Sequence, residues 1–469
     1  MTHRIHRQII ELALPAGTDA EAQSRRAATL FEEKVLPQLD ELFSRLAPGK
    51  RILRIPQLEI DLGAIDLTHW ERDFVEACIA QISAALRNFA MPGTTASEAL
   101  SLAGTELSPE EDARQTLIYF LEKGRLPWHA LGRSLSELEA PLSGPLPAPF
   151  AHTLTALLRR RPEALQRMVW QSSPAWIQSV FEKIHALPPG WMAQTLKQMR
   201  QLRRQSAQPT VVTAHREAGA YLLQICRALL HTPVAKVSSL SPEQAARQWA
   251  VHAPITPSHT SPQAPHAAQD PIPAPLSPAA SVSPTPDKPL MQSAETPRPG
   301  EAPESLAVEN AGIVLLGPYL QAFFGELELL QGVSFADEMA QYRAVFLLHF
   351  LATGEQNPDE PTLVLQKILC GLPAEAPIPA HIPLSAAEKS ESFSLLEAVI
   401  RNWPALKNTS PEGLRQAFLQ RQGSLRFLPD PYGLLQVERK GQDLLLERLP
   451  WSYSVIRLPW MGGVMRVTW

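Results

Sequence analysis

The chain has 469 residues and a mass of 51.8 kDa, with 45% hydrophobic and 19% charged residues, a mixture that supports two or three domains with cores of their own. A net charge of −4 gives no overall attraction for nucleic acid or anionic lipid, and three distant cysteines, Cys78, Cys226 and Cys370, with no CxxC pair exclude a disulfide framework. The first residues carry no apolar signal region and no run of about 18 apolar residues occurs, so a protein made in the cytoplasm without a membrane partner is expected.

Residues 4–14, rich in Ile and Leu and closed by Pro15-Ala16-Gly17, predict a strand. From Asp19 to Leu46 the apolar set Ala28, Phe31, Val35, Leu39, Leu42, Phe43 and Leu46 recurs at three- and four-residue steps, which predicts an amphipathic helix bent at Pro37. Residues 51–62 alternate Ile52, Ile55, Leu58, Ile60 and Leu62 with charged residues, and Pro56 marks this as an edge or bulged strand. A second helix over 68–89 carries Phe74, Ala77, Cys78, Ile82 and Leu86 on one stripe, so residues 1–91 read as a βαβα unit.

Residues 92–252 read as helix hairpins, with proline-free stretches at 110–126, 190–208 and 210–232. Within them, 151–216 holds ten Lys or Arg against Glu163 and Glu182, a local charge of +8 that includes Arg200, Arg203 and Arg204. Such a block is either a set of solvated helix faces or a surface made for an acidic partner. No nucleic-acid signature surrounds Trp170, Trp176 and Trp191, so nucleic acid is the weaker alternative and core anchoring the stronger one. Residues 253–305 form a Pro-rich disordered linker: 14 prolines fall between 254 and 303, too little apolar surface is available for folding, and in polyproline geometry the tract reaches up to roughly 150 Å.

Residues 306–469 predict helices followed by a small antiparallel β region, so the fold class is α+β and mainly helical. Leu347-Leu348-His349-Phe350-Leu351-Ala352-Thr353-Gly354 echoes Leu117-Ile118-Tyr119-Phe120-Leu121-Glu122-Lys123-Gly124, which reads as shared glycine capping rather than a diverged repeat. Ser410-Pro411-Glu412 is a helix start in which Ser410 caps and Pro411 presets φ. Lys407 and Asn408, in the loop ahead of it, read either as partner contacts or as turn formers. Strands are expected at 434–439, 455–458 and 464–469, and residues 444–449 suit a strand or a helical turn. Trp451 and Trp460, in two Leu-Pro-Trp turns, read as core indoles or as exposed docking indoles.

There is no phosphate loop, GxGxxG, HExxH, GxSxG or paired Cys/His spacing, so no enzyme, cofactor or metal is expected, and His349 reads as a core residue. Adjacent Glu32-Glu33 and Glu110-Glu111 diverge on a helix and cannot act as an acid/base pair.

Several segments resemble the tape measure proteins of contractile injection systems, the phage-tail-like particles of bacteria. They are Ile5-His6-Arg7-Gln8, Leu58-Glu59-Ile60-Asp61-Leu62-Gly63, Gly124-Arg125-Leu126-Pro127-Trp128, Leu369-Cys370-Gly371-Leu372-Pro373, Trp403 through Arg415, Leu449-Pro450-Trp451 and Leu458-Pro459-Trp460-Met461. The resemblance implies a non-enzymatic assembly role inside the tube, with inner tube, baseplate or cap proteins as partners and residence in a particle released outside the cell. It brings no catalytic residues. The alternative is an assembly chaperone or adaptor that recruits tube, cap or cargo. One continuous helical ruler is excluded, because the longest proline-free stretch is the 39 residues from Tyr319 to Asn357.

Overall fold

Three apolar clusters grow from the periodicities in the sequence. A computed structural model describes residues 3–5, 8–15, 17–46, 52–55, 57–65, 68–90, 105–206, 214–250, 305–406, 408–427 and 433–469; the proline-rich tract 254–303 lies outside them. The fold is α+β and mainly helical, with a small sheet at the C-terminal end.

In the first cluster, Leu30, Phe31, Val35 and Leu39 pack against Phe74, Cys78, Ile82 and Leu86 of the Trp70–Ala90 helix. Asp19 caps the first helix by accepting from the Ala22 amide. The expected bend takes a specific form: the helix widens to π pitch over Phe31–Val35, just ahead of Pro37, whose missing N–H breaks the ladder. Arg26 then ties the two helices together through a bidentate pair with Glu71 at 2.8 and 2.9 Å.

The expected strands of this unit are corrected. None of the described residues of 4–14 joins a ladder, and Ile5 and Ile9 face solvent, since no neighbouring strand completes their hydrogen bonds. Of 51–62 only Ile52–Arg54 is a strand, paired antiparallel with Thr105–Leu107. Ile55, Leu58, Ile60 and Leu62 instead cover the helix pair without regular structure.

The second cluster is built by helices Pro109–Lys123, Ala148–Arg160, Pro162–Gln171, Pro174–Ile184, Trp191–Ser206, Ala214–His231 and Pro242–Ala250. Trp176 and Trp191 are buried in it as core anchors. The third cluster joins helices Gly317–Glu326, Glu338–Thr353 and Ala386–Asn402 to the short helix that begins at Pro411, with Trp403 wholly buried between Phe418 and Trp451. Ser410 caps that short helix by accepting from the Gly413 amide at 3.1 Å, as its position before Pro411 predicts.

Five short strands close the chain in the spatial order Ser305–Val308, Gly423–Arg426, Leu434–Val437, Met465–Thr468 and Val455–Ile456. All neighbours are antiparallel except Leu434–Val437 with Met465–Thr468, which run parallel. The 444–449 segment is a helical turn, part of Gly441–Arg448. Strand Ser305–Val308 comes from the far end of the predicted linker and pairs with Gly423–Arg426, so the linker's end is anchored in the C-terminal sheet.

Two sites here govern stability. A Cβ added at Gly312 would lie 1.7 Å from the Phe418 carbonyl oxygen, so backbone meets backbone where only glycine fits. Gly312→Ala should destabilise the chain by about 3 kcal/mol; an unchanged urea midpoint would contradict this contact. His349 is buried with neither ring nitrogen hydrogen-bonded among the described residues, and burial lowers its pKa to about 4. The unfolded chain takes up this proton as pH falls through about 6.5, whereas the folded chain resists until about 4, so stability is lost across that window, by on the order of 3 kcal/mol for this group. His129, at about 4, and His185, also lowered by burial, titrate in the same direction. His349→Leu should therefore flatten the loss of stability between pH 6.5 and 4, read from urea midpoints, and an unaltered slope would refute the assignment.

Candidate docking site between the helical regions

A charged residue inside an apolar stripe is the anomaly that leads to the site. Arg167 lies among Ala164, Leu165, Met168 and Val169, and Lys367 among Val364, Leu365, Ile368 and Leu369. Both stripes face a core, so both cations are forced inside: Arg167 and Lys367 are 0% exposed, and Glu360 is 1% exposed. A buried charge persists only when paired and hydrogen-bonded, which explains their convergence.

Arg167 Nε donates to Glu360 Oε1 at 3.1 Å, and Lys367 Nζ donates to the same oxygen at 2.6 Å. The guanidinium also donates from Nη1 to the Leu121 carbonyl at 2.5 Å and from Nη2 to the Glu375 carbonyl. Gly124 makes room: it caps the Pro109–Lys123 helix at φ +70°, and a Cβ there would lie 2.7 Å from Arg167 Nη2. Gln171 adds a bond to the Ile378 carbonyl at 2.7 Å, and Trp170 meets Tyr342 edge to face. Helix Pro162–Gln171 therefore locks onto residues 342–378 across the linker. Desolvation, and secondarily Arg167, lower the Lys367 pKa against the pull of Glu360, so its contribution to stability rises with pH from that lowered value up to its ordinary 10.5.

A second polar junction joins the N-terminal unit to the same helical region. Asp112, 2% exposed, accepts from both Arg54 and Arg133, and these guanidinium groups hold its carboxyl below the usual range in spite of burial. Arg4 adds a bond to the Trp128 carbonyl.

The predicted contact residues fall elsewhere. Trp451 and Trp460 are half-buried, with indole N–H groups bound to the Leu315 carbonyl at 3.0 Å and the Leu369 carbonyl at 2.8 Å. Asn408 and Arg200 are exposed, on a turn and on helix Trp191–Ser206. Lys407 and the side chains of Arg203 and Arg204 lie outside the described residues.

The basic block also divides. Arg159 donates to the Leu230 carbonyl at 2.7 Å, Lys183 to the Ser143 and Gly144 carbonyls at 2.7 and 2.8 Å, Arg160 and Arg161 reach Glu122, and Arg167 is buried. Half of the ten cations thus serve helix ends and internal pairs. Among the described residues no cluster of His, Cys, Asp and Glu could hold a metal, and no helix is long and apolar enough to cross a membrane.

The Arg167–Glu360–Lys367 cluster thus joins two apolar helical clusters of one chain. Residues 2–469 match the family model of the contractile injection system tape measure protein, and the chain belongs to that family, a structural and assembly component of the contractile particle. No curated protein and no solved structure matches it.

Arg167→Met should strand Glu360 with half its partners, remove the bond to Leu121 and cost roughly 3 kcal/mol or more, lowering the thermal midpoint by several degrees. A midpoint equal to that of the parent would contradict the role of this cation.

Proposed function

We propose that the chain lies in the inner tube and sets its length through four units, 1–91, 92–252, 253–305 and 306–469, the third of which is the extensible one. The observation that supports this is the pairing of a 14-proline tract with two bodies that already touch through Arg167 and Glu360. A tether reaching roughly 150 Å is far longer than two touching bodies need, so its length suits a state in which they separate. The docked form is then the compact state before assembly, and separation inside the growing tube converts it to a span.

Inner tube, baseplate or cap proteins of the same particle are the partners in this reading, and the particle carries the chain outside the cell on release. Helix Trp191–Ser206, with Lys197 and Arg200 exposed, is the face offered to an acidic lumen. Asn408, together with Lys407, Arg203 and Arg204, extends the proposed contacts, and Trp451 and Trp460 offer the exposed parts of their indoles.

Deleting 254–303 should shorten assembled particles in micrographs. Particles of unchanged length would remove the gauge role from this tract. Reversing the charge of Arg200, Arg203 and Arg204 should lower the amount of chain in purified particles, most visibly at low salt, since exposed charges are screened within about 8 Å at physiological ionic strength; undiminished incorporation would refute the lumen contact.

A further inference from the structure

The echo between residues 117–124 and 347–354 extends far beyond a shared glycine cap. Leu121 and Leu351 occupy matching places in it, as do Phe120 and Phe350, and Gly124 and Gly354. In each case one buried arginine closes over the helix end. Arg167 donates to the Leu121 carbonyl, sits 5.9 Å above the Phe120 ring and lies against Gly124. Arg415 donates to the Leu351 carbonyl at 3.0 Å and the Phe350 carbonyl at 3.2 Å, sits 5.6 Å above the Phe350 ring, and would meet a Cβ on Gly354 at 3.2 Å.

Both arginines come from the fourth helical element of their set. Each follows a Pro-Glu-x-Leu start, Pro162-Glu163-Ala164-Leu165 with Arg167 five residues after the proline, and Pro411-Glu412-Gly413-Leu414 with Arg415 four residues after it, where the helix widens to π pitch. The order of parts is also the same: a capped first helix ending in glycine (Pro109–Lys123, Glu338–Thr353), short helical turns (Leu135–Glu139, Val364–Leu369), a third helix (Ala148–Arg160, Ala386–Asn402), and the arginine helix. In both sets the first helix packs against the other three. Capping physics explains one glycine at φ > 0; it does not explain an arginine returning from the fourth element to the same carbonyl.

We infer that residues 108–171 and 337–419 are two copies of one stacking module, each of which receives the preceding unit on its first helix and on the segment after its glycine. Module one receives the N-terminal unit there, with Arg54 on Asp112 in the first helix and Arg4 on the Trp128 carbonyl beyond Gly124. Module two receives module one in the same two places, with Trp170 on Tyr342 in the first helix and Arg167 on Glu360 beyond Gly354. Three residues past each arginine stand Trp170 and Phe418. The first packs on the next module, while the second packs against Gly312 and Trp403 beside the terminal sheet, which closes the stack as a cap. The partner such a receiving face fits is another unit carrying arginine at its docking end, and a stack of this kind grows in fixed increments.

Hydrogen exchange on the full chain tests the rule with Asp112→Asn and Glu360→Gln, near-isosteric changes that remove one receiving charge each. The expected result is local and parallel: Asp112→Asn speeds exchange at 52–54 and 105–107 by roughly tenfold, and Glu360→Gln does the same at 168–172 and 376–380, each leaving the other junction at the parental rate. Both changes acting on both junctions, or neither acting on its own, would overturn the rule. Should either variant fail to fold, an experimental structure of the parent decides: the four helices of one module must superpose on those of the other with Phe120, Leu121, Gly124 and Arg167 falling on Phe350, Leu351, Gly354 and Arg415. Helices that cross at different angles, or arginines that do not coincide, would overturn the inference.

Discussion

One guanidinium joins two of the three apolar clusters of the described residues. Arg167 is wholly buried and finds its acceptors on two bodies at once: the Leu121 carbonyl in its own, and Glu360 and the Glu375 carbonyl in the next. A planar fork with five donors suits three acceptors in fixed directions, which a lysine at this position would not. The cost of desolvation means that such a pair contributes more to the choice of arrangement than to net stability. Its consequences are visible in the neighbours: Gly124 must lack a side chain, Phe120 lies beneath the charge, and Lys367 balances the shared carboxylate.

Length gauging by this family member takes a different form from a single stiff helix. Prolines divide the chain into short elements, and among the described residues the longest are 21 and 18 residues, Trp70–Ala90 and Ala214–His231. The described helices are instead packed into three apolar clusters.

Much of the helical architecture was legible because its signals are local. Ser410 before Pro411-Glu412, and Gly124 and Gly354 after apolar helical runs, mark helix ends from cap chemistry alone. The strands were less legible because a strand exists only through its partner. Residues 4–14 have strand composition but no ladder among those described, while Ser305–Val308, with little strand character, pairs with a segment more than a hundred residues away. The docking site was partly legible: a cation at an apolar helical position, as at Arg167 and Lys367, is a flag that periodicity alone can raise. Which acid it meets was not, since Arg167 and Glu360 are 193 residues apart. Part of the positive block was not legible for a related reason. Net charge counts side chains without their partners, and Arg159, Lys183 and Arg167 had theirs within the molecule.

Contacts around Arg167, Trp170 and Gln171, rather than the tether, join the two helical clusters in the proposed compact state. Limited proteolysis within 254–303 followed by size-exclusion chromatography at moderate salt tests it most directly. The two fragments are predicted to co-elute at the volume of the uncut chain. Separate elution of intact, folded fragments would contradict the account.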